Sequence, residues 1–349
     1  MIRLANESDE QAWSDYLTKA QSTHHAFCWE WKRIIEKAFK HKAYYLIAEE
    51  SVAKESGICG IMPIFLVNGS LFGSALISMP YLNAGGCIAD NDEIANSLIE
   101  EAKKIAKEKN ASYIELRYVV PQEFLSALTT RTHKVSTSLE LTHSGEELFN
   151  QFPPKLRSQI RRPSKSGICA EISTGDFATS REINGFYDVF SEHMRDLGTP
   201  VFPKSLFELT LRSFGDRSRI ITTWLEGKCI AGGITVKHGD RVEIPWASSL
   251  RKFGKESPNM LMYWEAIKTA SLDGAKIFDF GRSSSESGPH KFKLQWGAKS
   301  HSLNWYYIGE NIPNISPNNP KFSLMVSCWK KMPLWSTKII GPWITRSLP

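Results

Sequence analysis

The chain has 349 residues and a net charge of +6, with 42% hydrophobic and 23% charged residues. This composition is that of a folded globular protein and excludes general disorder. The length is sufficient for two domains, or for one domain built from two similar halves. The six cysteines form no CxxC pair and no Cys/His cluster at metal-ligand spacing, so we expect neither a metal site nor a disulfide framework.

The positive charge is concentrated at the end of the chain. After Glu310 there is no acidic residue and five bases follow, which leaves only +1 of the +6 for residues 1–310. This distribution argues against a broad nucleic-acid surface, and we expect no DNA partner. The N-terminus lacks a secretory signal pattern, and no apolar run approaches the roughly 20 residues that span a bilayer. We therefore expect a cytoplasmic protein.

The first half is predicted to contain strands, then a helix, then a further strand. Residues 92–109 carry apolar residues at the spacing of an amphipathic helix, which Asp90 or Asn91 can cap. Residues 1–41 are expected to add helices with an apolar face. The predicted strands and turn are Ala43–Glu49, Gly57–Val67, Leu71–Pro80, the glycine turn Asn83–Gly86, and Ser112–Tyr118.

The second half repeats this order. Ser257 is predicted to cap a helix over Asn259–Leu272, with Pro258 at its first position. The predicted strands are Arg219–Leu225, Cys229–Val236, Arg241–Ala247 and Lys276–Phe280.

The repeated order predicts an internal duplication. We expect an α/β (α+β) protein with two tandem domains, each a mixed, mostly antiparallel sheet flanked by helices. We place the domains at residues 1–145 and 146–310, followed by a basic aromatic tail at 311–349.

A basic stretch joins the two halves. Arg157, Arg161 and Arg162 lie within Pro153–Arg162, and the first two share a face of a helix. Guanidinium groups bind phosphate or carboxylate through paired hydrogen bonds, so these arginines are candidate substrate-binding residues. A solvated helix face is the alternative.

The segment Glu192–Pro203 combines ionisable residues with a stiff Gly-Thr-Pro turn, and we interpret it as a substrate-facing loop. Histidine side chains ordinarily titrate near neutral pH, so His193 is a candidate general base for the attacking amine, although a lone histidine is more often structural. Asp196 is a further catalytic candidate. Arg195 and Thr199 are candidate substrate contacts.

A third group follows the predicted strand Lys276–Phe280. Asp279 lies at the end of this strand, where α/β folds place ligand contacts, and is predicted to be catalytic. A second cationic wall is predicted from Arg282, His290, Lys291 and Lys293, for which surface charge is the alternative. Further candidate substrate contacts are Trp246, Asn259 and Trp296.

Taken together, these segments resemble the FemAB-like proteins of the GNAT acyltransferase superfamily, in particular those associated with exosortase and PEP-CTERM surface-protein systems. The resemblance spans residues 1–310 and is most specific in the Met-Arg-Asp-Leu-Gly-Thr-Pro and Phe-Asp-Phe-Gly-Arg-Ser stretches. The matching residues are Trp29, Gly85–Gly86, His193–Pro203, Pro258–Asn259, Leu261–Trp264, Phe278–Ser283 and Phe292–Gly297.

The resemblance implies a pair of GNAT-like domains. It also implies transfer of an aminoacyl group from tRNA, or of another acyl group, to an amine on a cell-envelope precursor. Two features depart from the family pattern. The coiled-coil arm that many Fem proteins use for tRNA is not visible in the sequence, and the phosphate-binding turn of GNAT enzymes, here Arg251–Glu256, ends in Glu256 instead of a small residue.

The leading hypothesis is an acyl or aminoacyl transferase acting on a cell-envelope, peptidoglycan-type or exopolysaccharide-related acceptor that bears phosphate or carboxylate groups. The donor is aminoacyl-tRNA or acyl-CoA, and no tightly bound cofactor is expected. The site is expected in a cationic cleft between the halves, lined by residues 155–162, 193–203 and 279–296.

Two alternatives stay open. One is an acyl-CoA-dependent N-acetyltransferase. The other is a non-catalytic glycan- or membrane-associated binding protein, which the tail suggests. Cys328–Trp343 alternates aromatic residues with bases, a pattern that favours peripheral contact of residues 315–349 with anionic lipid at the inner face of the membrane. Packing of the tail on the protein's own surface is the alternative there.

Overall fold

The structure is a computed structural model that describes residues 1–52, 55–69, 73–142, 144–310, 312 and 322–348. It divides into two compact units. The first unit comprises Met1–Val135, His301–Asn314 and Arg346–Pro349, and the second comprises Ser136–Ser300 and Ile315–Thr345.

The elements follow one another in the order below. The strands are β1 Ile2–Leu4, β2 Lys42–Val52, β3 Glu55–Gly69, β4 Gly73–Ile77, β5 Ile88–Ala89, β6 Tyr113–Tyr118, β7 Thr129–Arg131, β8 Lys134–Glu140, β9 Cys169–Thr174, β10 Ser218–Leu225, β11 Lys228–His238, β12 Arg241–Ser249, β13 Ile277–Ser284, β14 Lys299–Ser302 and β15 Asn304–Ile308. The helices are α1 Glu10–Lys19, α2 Glu30–Phe39, α3 Asp92–Glu108, α4 Gly145–Gln151, α5 Pro154–Lys165, α6 Ser180–Leu197, α7 Lys204–Phe214, α8 Pro258–Leu272, α9 Gly288–Leu294, α10 Ser323–Lys331 and α11 Leu334–Arg346.

The first unit is built on a sheet with strand order β1-β2-β3-β4-β6-β15-β7, and β5 pairs with β3. Its neighbouring strands are antiparallel except β4 and β6, which pair in parallel over Ala75–Ile77 and Tyr113–Glu115. The predicted helix over residues 92–109 is α3, and Asn91 caps it by accepting the N–H of Ile94 at 2.9 Å. Its apolar face packs into a core with β2, β3, β4 and β6.

The predicted N-terminal helices are α1 and α2, and their apolar residues are buried. Trp13 stacks on Tyr45, with ring centroids 4.8 Å apart, and Trp29 meets the same ring edge-on at 5.4 Å. The indole N–H of Trp13 donates to the carbonyl of Phe27 at 2.7 Å. These aromatic contacts fix the two helices against β2.

In the first unit, the segment that follows β4 packs against the end of β6. Arg117 on this strand donates to the carbonyls of Met79 and Leu82, at 3.2 and 2.9 Å. Gly86 has φ +87°, and a Cβ placed there would lie 2.5 Å from the ring of Tyr118. Only glycine therefore fits this close approach.

The second unit repeats the order of elements. Its sheet runs β14-β8-β13-β12-β11-β10-β9, and β12 and β13 pair in parallel over Arg241–Glu243 and Ile277–Asp279. The pairing of β11 with β12 shifts register between Ile234 and Val236. Pro245 lies in this part of β12 and has no N–H to donate, which is consistent with the bulge.

Helix α8 follows β12 and begins at Pro258, as predicted. The predicted cap is wrong, because the side chain of Ser257 makes no capping hydrogen bond and the residue has φ +56°, in the left-handed region. Among the residues that the structure describes, no helix is long and apolar enough to cross a membrane. Lys321 of the basic tail lies outside the described residues.

Candidate active site

The candidate active site of the second unit begins where β12 and β13 pair in parallel. Glu243 and Asp279 are register partners, and both are buried, with 4% and 3% exposure. Two carboxyl groups on adjacent strands repel each other unless one takes up a proton or a cation balances them.

Asp279 is fully engaged by hydrogen bonds. Its Oδ1 accepts from the hydroxyl of Ser136 and from the backbone N–H of Gly281, both at 2.8 Å. Its Oδ2 accepts from Nη1 of Arg241 at 3.0 Å. Burial and the neighbouring Glu243 raise the pKa of Asp279, while Arg241 limits the rise.

A buried lysine adjoins this acidic pair. Lys293 on α9 is 6% exposed, and its Nζ donates to the carbonyls of Gly281 and Arg282 at 2.8 and 3.0 Å. Burial lowers the pKa of Lys293 to about 8, and the charges of Asp279 and Glu243 oppose this effect. Functional sites often contain an acid with a raised pKa beside an amine with a lowered pKa.

The other predicted cations around α9 have different surroundings. His290 is buried, accepts the N–H of Glu286 at its Nδ1 (3.0 Å), and places Nε2 2.6 Å from the hydroxyl of Ser300. Both ring nitrogens therefore make contacts that stabilise the structure around α9. Arg282 and Lys291 are exposed. Of the four residues of the predicted cationic wall, His290 and Lys293 are therefore buried, whereas Arg282 and Lys291 are exposed.

His193 lies on α6, beside the far end of β12. Burial lowers the pKa of His193, Arg251 adds to this effect, and Asp196 opposes it. The Nδ1 of His193 is buried and has no hydrogen-bond partner in the part of the chain that the structure describes. Arg195 donates to the adjacent Asp196 at 2.9 Å.

The three predicted catalytic residues do not come together. The pKa of His193 also responds to a hydrogen bond with the backbone of Ser249, which lies six residues beyond Glu243 on β12. At the rise of an extended strand, this separation is ~20 Å. His193 and Asp196 therefore lie near one end of β12, and Asp279 lies beside the other.

The turn before α8 collects further predicted residues. Arg162 on α5 donates to the carbonyl of Lys255 at 3.4 Å, and Asn259 lies half-buried in the first turn of α8. The Oε2 of Glu256 is buried and has no partner among the described residues. This carboxylate stands beside a helix N-terminus, where the helix dipole favours negative charge.

The remaining arginines of α5 lie in two settings. The Nε of Arg157 is buried and has no partner within the described chain. The guanidinium of Arg161 lies 4.8 Å from the ring centre of Phe149. Arg161 lines an open groove of about 690 Å³ between α4, α5 and α8, together with Trp264 and Lys268.

The predicted contacts Trp246 and Trp296 are core residues of the second unit. Trp246 meets Phe207 edge-on at 5.2 Å, and Trp296 meets Phe152 in the same way at 5.6 Å. Thr199 is half-buried, and its N–H donates to the carbonyl of Met194 at 2.9 Å at the end of α6.

Sequence reasoning did not select Ser136, Arg241 or Glu243. Glu243 carried a usable signal, because it is an acidic residue between Val242 and Ile244 in a strand that is otherwise apolar at its centre. Ser136 carried none, since it reaches Asp279 only through the pairing of β8 with β13.

Comparison with known proteins shows what this region is similar to. Residues 154–294 match the family described as Acetyltransferase (GNAT) domain. This segment contains Arg241, Glu243, Asp279 and Lys293, so the whole candidate site except Ser136 falls within it.

A relative and two solved structures extend the comparison. The UDP-N-acetylmuramoylpentapeptide-lysine N(6)-alanyltransferase of Weissella viridescens is 24% identical over 202 residues, or 57% of this chain and 55% of that protein. The matched region thus spans about half the length of this curated relative. The crystal structure of FemX superposes with a TM-score of 0.65 at 15% identity, covering 93% of this chain and 100% of that one. A tandem GNAT protein from the clavulanic acid biosynthesis pathway gives 0.56 at 10% identity, covering 90% and 99%.

The predicted fold is confirmed: two mixed sheets flanked by helices form a tandem GNAT architecture. These comparisons agree with the broader part of the resemblance: residues 154–294 are similar to a GNAT acetyltransferase domain, and the chain is similar to the alanyltransferase in sequence and to FemX in fold.

Proposed function

We propose that this protein is an acyl or aminoacyl transferase that moves its acyl group onto an amine of a cell-wall precursor. The observation that carries the proposal is the buried group of Glu243, Asp279 and Lys293 with the half-buried Arg241, which lies in the segment that matches a GNAT acetyltransferase domain.

The reaction has defined proton requirements. The attacking amine forms a C–N bond with the donor carbonyl and loses a proton, while the C–O or C–S bond to the leaving group breaks and the leaving group gains a proton. Lys293 retains its proton at neutral pH, since its pKa is about 8, and we assign to it stabilisation of the developing oxyanion or protonation of the leaving group. Burial raises the pKa of Asp279, and this side chain orients Arg241 by accepting its hydrogen bond.

The acceptor is proposed from the relative and from the cations of the second unit. The relative acts, by its name, on the lysine of UDP-N-acetylmuramoylpentapeptide, which carries phosphates and carboxylates. Arg157, Arg161, Arg162, Arg282 and Lys291 supply complementary charge. An exopolysaccharide-related acceptor in an exosortase system is the narrower form of this proposal.

The donor is aminoacyl-tRNA or acyl-CoA. The turn before α8 bears on the choice between these donors. The pyrophosphate of coenzyme A would bind at this helix start, where it would be repelled by the carboxylate of Glu256, whose Oε2 is buried there. This favours aminoacyl-tRNA. The acyl-CoA-dependent N-acetyltransferase is the second candidate, and the family match to an acetyltransferase domain favours it.

The cellular setting follows from the proposed acceptor. We place the protein in the cytoplasm at the inner face of the membrane, where its tail makes peripheral contact with anionic lipid. The exposed apolar and basic residues of α10 and α11 support this placement.

The test is an acyl-transfer assay read by mass spectrometry. The protein is incubated with UDP-N-acetylmuramoylpentapeptide and either alanyl-tRNA or acetyl-CoA, and the acceptor is examined for one added alanyl or acetyl group. We expect Lys293→Met to lower turnover at least ~100-fold, by loss of a positioned cation. Lys276→Met, an exposed lysine of the same unit, serves as the control and keeps its activity.

Two results contradict the proposal. The first is an acceptor that gains no acyl group from either donor. The second is a Lys293→Met protein that transfers the group as fast as the Lys276→Met control.

A further inference from the structure

Helix α11 presents its large apolar side chains to solvent. Trp335, Ile339 and Trp343 recur every four residues and so share one face of the helix. They are 68%, 68% and 65% exposed. The buried positions Thr337 and Gly341 lie on the opposite face. A surface helix of a globular protein has the reverse arrangement, with apolar residues inward.

Small and polar residues hold α11 in this orientation. A Cβ on Gly341 would lie 2.7 Å from the side chain of Val201, so the helix backbone approaches this loop closely. The hydroxyl of Thr345 donates to the carbonyl of Val201 at 3.4 Å. Lys338 pairs with Asp188 on α6. The outward apolar face is therefore a consequence of specific packing on the other side of the helix.

The charge of the chain segment that carries this face indicates what covers it. Lys330 and Lys331 are exposed at the end of α10, and residues 311–349 contain no acidic residue. A second copy of the chain docked on this face would bring like charges together, whereas an anionic surface complements them. Tryptophan side chains favour the interfacial region of a bilayer, and lysines are attracted to anionic headgroups.

We propose that α11 docks this protein onto an anionic lipid bilayer, with Trp335, Ile339 and Trp343 in the interfacial region and Lys330 and Lys331 against the headgroups. The inference deepens the membrane contact included in the proposed function. Its test is separate from the transferase assignment, because binding to vesicles requires no turnover.

The experiment is flotation of the full chain with phosphatidylcholine vesicles that contain or lack phosphatidylglycerol. We expect binding to the anionic vesicles that weakens as salt is added. Combined serine substitution of Trp335, Ile339 and Trp343 is expected to lower affinity at least ~10-fold, by removing the buried apolar area. Neutralising Lys330 and Lys331 to alanine is expected to lower it about fivefold for each lysine.

Matched controls use residues far from α11 in sequence. Phe177→Ser with Leu272→Ser removes two apolar side chains that are 80% and 67% exposed. Lys107→Ala with Lys109→Ala removes two exposed lysines. Both controls keep the wild-type affinity, and circular dichroism checks that every variant is folded.

Three outcomes overturn the proposal. One is equal or absent binding of the wild type to the two vesicle types. Another is a folded triple-serine variant that binds as tightly as the wild type. The third is a dimer in sedimentation velocity that the triple variant lacks while vesicle binding is unchanged, because a second copy then covers the face. Loss of acyl transfer alone leaves the docking result standing.

Discussion

Replacing Lys293 with methionine changes how stability depends on pH. The pKa of Lys293 is about 8 in the folded protein, below its ordinary value of 10.5, so the unfolded chain holds the proton more tightly. Stability therefore rises with pH between these two values. One pH unit of separation corresponds to about 1.4 kcal/mol, so burying the charged amine costs about 3 kcal/mol near neutral pH.

The methionine variant removes this cost together with two hydrogen bonds. The bonds to the carbonyls of Gly281 and Arg282 are charge-assisted and contribute about 1.5–3 kcal/mol each. Together the lost bonds amount to about 3–6 kcal/mol against a gain of about 3 kcal/mol, so at neutral pH we expect the Lys293→Met variant to be between equally stable and about 3 kcal/mol less stable than the wild type. Between about pH 7 and about pH 10, the wild type gains about 2.5 kcal/mol that the Lys293→Met variant does not gain.

The assay is urea unfolding followed by far-UV circular dichroism across this pH range. The informative quantity is the difference in unfolding free energy between wild type and variant, because the titration of groups that both proteins share cancels in it. Lys291→Met, on the same helix but exposed, is the matched control and follows the wild-type curve. If the unfolding free energies of Lys293→Met and of the wild type change by the same amount across this pH range, the pKa of Lys293 is not lowered in the folded protein, and the reasoning is refuted.

Three further predictions concern other sites. Gly86→Ala destabilises by about 3 kcal/mol or more, because a strained φ of +87° is combined with a ring contact at 2.5 Å. Gly227→Ala, at φ +75° with open space, costs only about 1–2 kcal/mol in the same urea titration. Arg251→Ala raises the pKa of His193 in an NMR titration, and a lowered value would contradict the assignment. Glu256→Gln increases the affinity for coenzyme A measured by calorimetry, because it removes a negative charge from the start of the helix. An unchanged affinity would show that no phosphate binds at this turn.

The helices were predictable because their burial pattern follows the sequence period. The helix predicted at residues 92–109 is Asp92–Glu108, and the helix predicted from Asn259 to Leu272 is Pro258–Leu272. In both cases apolar residues at helical spacing meet a sheet, so local pattern and tertiary packing agree. The cap at Ser257 failed because the chain enters α8 through a left-handed residue, which depends on the path of the preceding turn.

The acidic group at β12 and β13 was not predictable as a unit. Ser136 and Asp279 are separated by 143 residues and meet through strand pairing, which a single sequence does not specify. Lys291 and Lys293 looked equivalent in the sequence, yet one is exposed and the other is buried. That difference is decided by how α9 docks on β13, since its face against the sheet includes only one of the two.

The position of β15 affects how the first unit folds during synthesis. This strand, at Asn304–Ile308, pairs with β6 and β7 of the first unit, although the second unit's sheet strands β9–β13 are encoded between them. As the chain leaves the ribosome, the first unit has an unpaired edge at β6 until residue 308 is translated. A gene fragment that encodes only residues 1–135 would therefore yield an incomplete sheet prone to association, and attempts to study the first unit alone should supply the β15 segment in the same polypeptide.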